Sequence, residues 1–389
     1  MRSIWMSVWI IVLGLNSLCA QETIAPEVKK LPFIRLNYQS GGVLPTNNFL
    51  KGDNATGQPI NAYQAGALEY GLQTNGEKEW HHIWGMPSVG VGLYTVDFFN
   101  DEELGHPAAL YGFFNNTLMK WKKFELHFEG AAGMTFNWKP YDPEINPFNV
   151  AIGSYNTVYL DFGFRGQWKL GKKWQLDLAY TFTHFSNGAT TLPNMGINMT
   201  GPKVGLAYHI HGNDPVFYPL ERKEFEPKNE FFGDVKLSTK QVKFDTSITQ
   251  LSTEYLGINY NVFGLSLGYL RHFHSKWKYG GGIDVAYDES TTAQLDVVNG
   301  IYDPQETESQ WHWNMSVFAT GQMVVGKTSF FADLGYYLFR KEIPGQTPDL
   351  YQRFGVRWNV YKGVQLGAAL RAYNFGIADY IEWSIGYKF

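Results

Sequence analysis

His184 and Ser186 stand two residues apart in the stretch WQLDLAYTFTHFSNGATTLPNMGIN, residues 174–198. A histidine can take the proton of a serine hydroxyl and hand it to a leaving group, the core of nucleophilic ester hydrolysis. On a β-strand, side chains at i and i+2 point the same way, roughly 6.5 Å apart, within reach of rotamer choice. Trp174, Leu176, Leu178, Tyr180 and Phe182 precede the pair on one face, with Gln175, Asp177, Ala179, Thr181 and Thr183 on the other. The base and the nucleophile therefore continue the apolar face. That placement is odd for a soluble enzyme and sensible for one that attacks lipid. Polar groups deep in hydrocarbon cost roughly a few kcal/mol. Six outward positions, Trp174 to His184, come before Ser186, which puts the pair at the far end of the strand, where ester and sugar groups lie. A plainer role also fits: His184 and Ser186 capping a strand at an aqueous rim, with Asn187, Pro193 and Asn194 as turn formers.

The rest of the chain reads as elements of the same kind. Phe124, Leu126, Phe128, Ala132, Met134, Phe136 and Trp138 oppose Glu125, His127, Glu129 and Asn137. Val204, Leu206, Tyr208 and Ile210 oppose Gly205, Ala207, His209 and His211, and Ile381, Trp383, Ile385, Tyr387 and Phe389 oppose Glu382, Ser384, Gly386 and Lys388. Tight basic turns fall near Lys122, at Gly171-Lys172-Lys173, and near Lys276, Lys327 and Lys362. Longer connections, 139–152, 187–201, 289–310 and 341–348, alternate with them. Short turns on one side and long loops on the other predict an all-β, antiparallel transmembrane β-barrel of about sixteen strands, fourteen as the lower count, with the short side periplasmic. Backbone groups in lipid must pair internally, so the sheet must close. Aromatics and charged residues at 17% each suit such a barrel.

The chain opens on MRSIWMSVWIIVLGLNSLCA, a secretory signal peptide over residues 1–20. Leu18 is a poor fit for lipidation at Cys19, and cleavage after Ala20 would leave no cysteine. A net charge of −4 gives no basic excess for nucleic acid. Residues 21–212 form an N-terminal set of strands and 229–389 a C-terminal set, with the proline-rich 213–228 as a periplasmic connection. One wide barrel is favoured over two small ones joined there. The closing strand ends on Phe389, which resembles the assembly signal read by the outer-membrane assembly machinery. The expected location is the outer membrane of a Gram-negative bacterium.

His184-Phe-Ser186-Asn187, followed by Pro193-Asn194-Met-Gly196, resembles the His-x-Ser-Asn … Asn-x-Gly motif of PagL-like outer-membrane lipid A 3-O-deacylases. The clear match spans about fifteen residues, with looser similarity in strand layout over 30–212. The resemblance implies that Ser186 attacks the ester carbonyl of the acyl chain at the 3-position of lipid A, with His184 as base. It implies Asn194 as oxyanion donor, Asn187 and Gly196 in support, and Phe162 as a neighbouring aromatic. The family's acidic third member falls at Asn198. An amide can still fix the ring's tautomer but lacks a carboxylate's charge. Asp161, on the preceding strand, is a candidate substitute in space.

Other candidates are weaker. The pairs His209/His211 and His272/His274 have spacing that could share a metal, but inward histidines are commonly solvated. Asp303, Glu306 and Glu308 are most simply solvated loop residues. The reading is an esterase that uses no metal or organic cofactor, with lipid A or lipopolysaccharide as its partner. The alternative is a non-catalytic barrel, either a channel or a lipopolysaccharide-binding scaffold.

Overall fold

The computed structural model describes residues 31–212, 216–219, 224–245, 248–300, 309–343 and 348–389. The signal segment 1–20, the acidic residues Asp303, Glu306 and Glu308, and part of 213–228 lie outside the described residues. Alternation of apolar and polar side chains produces sixteen antiparallel strands among the described residues. The first eight are β1 (Leu31–Val43), β2 (Ala62–Gln73), β3 (Ser88–Asp97), β4 (Gly105–Lys120), β5 (Phe124–Trp138), β6 (Val158–Lys169), β7 (Trp174–Ser186) and β8 (Ile197–His209). The rest are β9 (Lys228–Lys240), β10 (Tyr260–His274), β11 (Trp277–Asp288), β12 (Trp313–Val325), β13 (Thr328–Phe339), β14 (Leu350–Tyr361), β15 (Val364–Tyr373) and β16 (Ile377–Lys388).

The strands close into two barrels of eight, where one wide barrel was expected. Strand β8 returns to β1, pairing His209 with Phe33 and Met199 with Val43, and β16 returns to β9, pairing Ile381 with Thr239. Hairpin count and alternation are the same for one barrel of sixteen strands or two of eight. Only these two closing ladders differ, and they join segments far apart in sequence.

An eight-stranded barrel is narrow enough for its own side chains to fill it. In the first barrel Arg35 meets Glu69 and Asp177, Arg165 meets Asp177 and Glu129, and Lys203 meets Glu129 and Asp161. In the second, Arg353 reaches Asp284, Asp333 and Glu382, and Lys236 joins Asp284. The inward faces are buried, paired networks. A charge buried in this way holds only when paired and hydrogen-bonded.

Toward the long-loop end the first barrel is plugged by apolar side chains, among them Phe49, Phe98, Trp138, Ile152 and Phe185. Trp138 was expected on the outward face of β5. The backbone turns to φ 72° at Asn137, breaking the alternation, and Trp138 enters the interior and donates its Nε1–H to Thr135 Oγ1 at 2.7 Å. The loop-length rule also has exceptions. The β15–β16 turn on the long side is only three residues, and the β2–β3 connection on the short side holds helix α1 (Glu79–Ile83).

The barrels touch at both ends. At the short-turn end Trp84 Nε1 donates to the carbonyl of Val324 at 2.9 Å, and the Lys276 ammonium lies 4.7 Å from the Trp84 ring centre. At the long-loop end the 187–196 loop of the first barrel meets the second, with Leu192 N donating to Gln241 Oε1 at 2.8 Å.

Candidate active site

Strand β7 carries the site. Gln175, Asp177, Ala179, Thr181 and Thr183 point into the barrel and are buried, so His184 and Ser186 fall on the outward face with Trp174, Leu178 and Tyr180. Between them Phe185 turns inward and is fully buried against Trp138, Tyr159, Tyr94 and Phe98. Each such aromatic contact adds about 0.5–1.5 kcal/mol beyond burial. This wedge fixes the strand end, and with it the direction of the two side chains on either side.

Strand β8 begins at Ile197, so the loop expected over 187–201 ends at Gly196 and Asn198 lies in the sheet. There it is the register partner of His184, and its Oδ1 lies 2.6 Å from the ring Nδ1. A ring that donates from Nδ1 keeps its lone pair on Nε2, the tautomer a general base requires. Asp161 does not share this position. It points into the barrel, held by Lys203 at 2.8 Å and Thr183 at 2.7 Å, on the opposite side of the sheet from His184.

Ser186 closes β7 and is buried despite facing outward. Two N–H donors converge on its Oγ: the amide of Gly188 at 3.0 Å and Nδ2 of Asn194 at 3.2 Å. Asn194 is oriented in turn by the Asn187 amide, which donates to its Oδ1 at 3.0 Å. The Asn187 side chain spans the loop, donating to Ser154 Oγ at 3.0 Å and to the Thr191 carbonyl at 2.8 Å. Donors aimed at one oxygen lower the cost of negative charge there. Among the described residues, the ring of His184 makes no hydrogen bond to Ser186. Nucleophile–base contacts are often looser before substrate binds.

Gly196 packs between base and nucleophile. A Cβ there would lie 3.1 Å from His184 Cε1 and 3.5 Å from Ser186 Cβ, and φ is +72°. Phe162 sits lower on the wall, tilted against its register partner Phe182 at 5.2 Å between ring centres. Several contributors carried no motif to find them by. Asn47 Nδ2 donates to the Gly196 carbonyl at 3.2 Å, the Gly196 amide donates to the Ala151 carbonyl at 2.9 Å, and Met195 N donates to Val150 at 3.1 Å. They arrive from the β1–β2 and β5–β6 loops, whose sequences only read as long connections.

Elsewhere the histidine pairs separate. His209 is buried inside and meets Gln175, whereas His211 is exposed past the end of β8. His272 is buried and His274 exposed, with a register shift between them. A cavity of about 230 Å³ lies at the short-turn mouth of the first barrel, lined by Gln73, Glu125, Gln175 and His209, at the opposite end from Ser186.

A closed barrel that carries a histidine and a serine, each held by its own hydrogen bonds, side by side on its outer wall defines a class: a membrane barrel equipped to meet the esters of the lipids around it. The family described as lipid A 3-O-deacylase (PagL) matches residues 65–207, and the acyloxyacyl hydrolase C-terminal domain matches residues 231–389. The chain belongs to the PagL family of outer-membrane lipid A 3-O-deacylases, which are ester hydrolases, and its two barrels correspond to the two matched domains. No curated protein matches the chain significantly.

Solved structures resemble it only loosely. An outer membrane channel from Pseudomonas putida F1 is 12% identical, over 95% of this chain and all of that one, with a TM-score of 0.20. CdiB from Acinetobacter baumannii is 11% identical over 93% of this chain, which spans 60% of that protein's length, with a TM-score of 0.19. A variant of the Rhodopseudomonas blastica porin is 8% identical, over 93% of this chain and all of that one, with a TM-score of 0.16. Scores this low bear on neither fold nor function.

Proposed function

We propose that Ser186 is the nucleophile and His184 the general base in removing the 3-O-linked acyl chain of lipid A. The observation that carries this reading is that His184 with Asn198, and Ser186 with Asn194 and Asn187, form two adjacent hydrogen-bonded sets at the outward end of β7. His184 Nε2 takes the Ser186 proton as Oγ attacks the ester carbonyl. The glucosamine 3-hydroxyl leaves with that proton, and the acyl group stays on Ser186. Water, deprotonated by the same ring, then releases the fatty acid and restores the serine. Asn194 Nδ2 and the Gly188 amide stabilise the oxyanion as charge develops. Asn198 holds the tautomer and ring plane. It supplies no full negative charge to the imidazolium, so the turnover expected is slower than with a carboxylate.

In this reading the long loops face the cell exterior of a Gram-negative bacterium and the short turns face the periplasm. The outward end of β7 then meets the outer leaflet, where the polar pair is least costly. Phe389 is the residue handed to the assembly machinery. A conducting channel draws no support from interiors filled with paired charges. Mass spectra of lipid A from cells expressing the parent chain should show loss of one hydroxyacyl group. Ser186→Ala and His184→Ala should leave lipid A intact. Identical spectra for all three chains would end the enzymatic reading.

A further inference from the structure

We propose that the second barrel forms one wall of the ester-binding site, with Ile381 and Leu370 gauging the acyl chain; this rests on Ser186 being the nucleophile. Ser186 faces outward on the first barrel, yet only 8% of it is exposed. Two residues on, Gly188 donates its amide to Ser186 Oγ and lies directly against the second barrel. A Cβ on Gly188 would stand 2.6 Å from Ile381 Cγ1, 2.7 Å from its Cδ1 and 3.3 Å from Leu370 Cδ1. With φ at +66°, glycine alone lets the loop take this path and lie this close.

Leu370 and Ile381 are register partners on β15 and β16 and point outward, where a lone barrel would show them to lipid. Both are half-buried, whereas Trp383 and Ile385, the next outward residues of β16, are 59% and 56% exposed. The Ser186 loop covers part of the pair and leaves the rest open beside it. A second anchor lies four residues along the loop, where Leu192 N donates to Gln241. Gln241 is 7% exposed and donates its own Nε2 to Asn259 Oδ1 at 3.2 Å. Both anchors sit in the loop that supplies Asn194 and Gly196.

An ester held at Ser186 must lay its hydrocarbon chain on apolar surface. On one side is the outer wall of β6 and β7, with Leu160, Phe162 and Phe182. On the other is the Leu370–Ile381 pair, whose side chains are the nearest atoms to a Cβ placed on Gly188. A chain bounded on two sides is measured, because a pocket wall one methylene too near or too far changes transition-state binding by several-fold or more. The second barrel is thereby a specificity element of the deacylase site.

The test uses the full-length chain in phospholipid vesicles, with lipid A molecules that differ only in the length of the 3-O-linked chain. Ile381→Trp should lower kcat/KM for the longest chain at least tenfold relative to the shortest, and Ile381→Ala should move that ratio the other way. Heat-dependent gel mobility of each variant reports that its barrels are closed. A length profile identical to the parent's in both folded variants overturns the proposal. Binding gives a readout independent of turnover. Lipid A with a photoreactive group on the 3-O-linked chain should crosslink to residues 366–385 in both parent and Ser186→Ala. Crosslinks confined to residues 158–182 overturn the proposal even when the parent is active. A parent chain that never releases fatty acid indicts the catalytic reading instead.

Discussion

Nδ1 of His184 and Oδ1 of Asn198 lie 2.6 Å apart across a register pair of β7 and β8. The sheet itself sets their separation, so the contact does not depend on loop order. An amide at this position orients the ring but leaves the imidazolium formed in the transition state without a charged neighbour. Asn198→Asp should keep or raise kcat, and Asn198→Leu, which removes the acceptor, should lower it about 10²-fold or more. Initial rates on vesicle-embedded lipid A decide this. A collapse of activity in Asn198→Asp would show that the amide N–H has a task of its own.

Much of this pair was legible in sequence, because strict alternation from Trp174 to Phe182 assigns His184 and Ser186 to the outward face whatever the barrel's size. The partner of the histidine was less so. Asn198 read as a loop residue since Asn187, Pro193 and Asn194 are turn formers, and nothing local says that β8 resumes at Ile197. That the sheet closes was legible, but which strands close it was not. The β8–β1 and β16–β9 ladders are contacts between distant segments, which periodicity cannot encode. Gln241, Asn47 and Ser154 were hidden for the same reason: each acts through the three-dimensional packing of loops. Trp138 was misplaced by one left-handed residue, Asn137.

Gly196 offers a steric test of how closely base and nucleophile must approach. A methyl group there meets the Phe185 carbonyl at 3.0 Å and His184 Cε1 at 3.1 Å, in a left-handed backbone that disfavours a side chain. Gly196→Ala should lower kcat by an order of magnitude or more while the barrels stay closed, since the glycine lies in a loop outside the ladders. Heat-dependent gel mobility alongside rates separates the two effects. Parent-like kcat in the variant would mean that the ring does not pass close to this glycine during turnover.

Asn194 joins the Asn187 amide to Ser186 Oγ, accepting with one side-chain atom and donating with the other. Asn194→Ala removes the donor, and Asn194→Asp keeps the acceptor while placing negative charge beside the developing oxyanion. Both should lower kcat about 10²–10³-fold with little change in KM, the mark of an interaction made in the transition state. Equal losses in kcat and affinity for Asn194→Ala would make Asn194 a loop-shaping residue instead.

Arg165 tests the filled interior. Its guanidinium lies between Asp177, at 3.2 Å, and Glu129, which also meets Lys203 at 3.0 Å. Removing one member of a buried charge network costs about 3–5 kcal/mol, because the carboxylates left behind have lost part of their compensation. Arg165→Met should therefore lower the urea midpoint of the first barrel markedly. Adding Glu129→Leu should recover part of the loss, since Asp177 keeps Arg35 at 2.9 Å and Lys203 keeps Asp161 at 2.8 Å. Deacylation per folded molecule should stay near the parent's, as Ser186 lies on the outer wall behind the Phe185 plug. Planar-bilayer recordings should find no conductance in the parent or in either variant. A midpoint unchanged in Arg165→Met would mean that the network contributes little to stability, and an open-channel current in the parent would contradict a filled barrel outright.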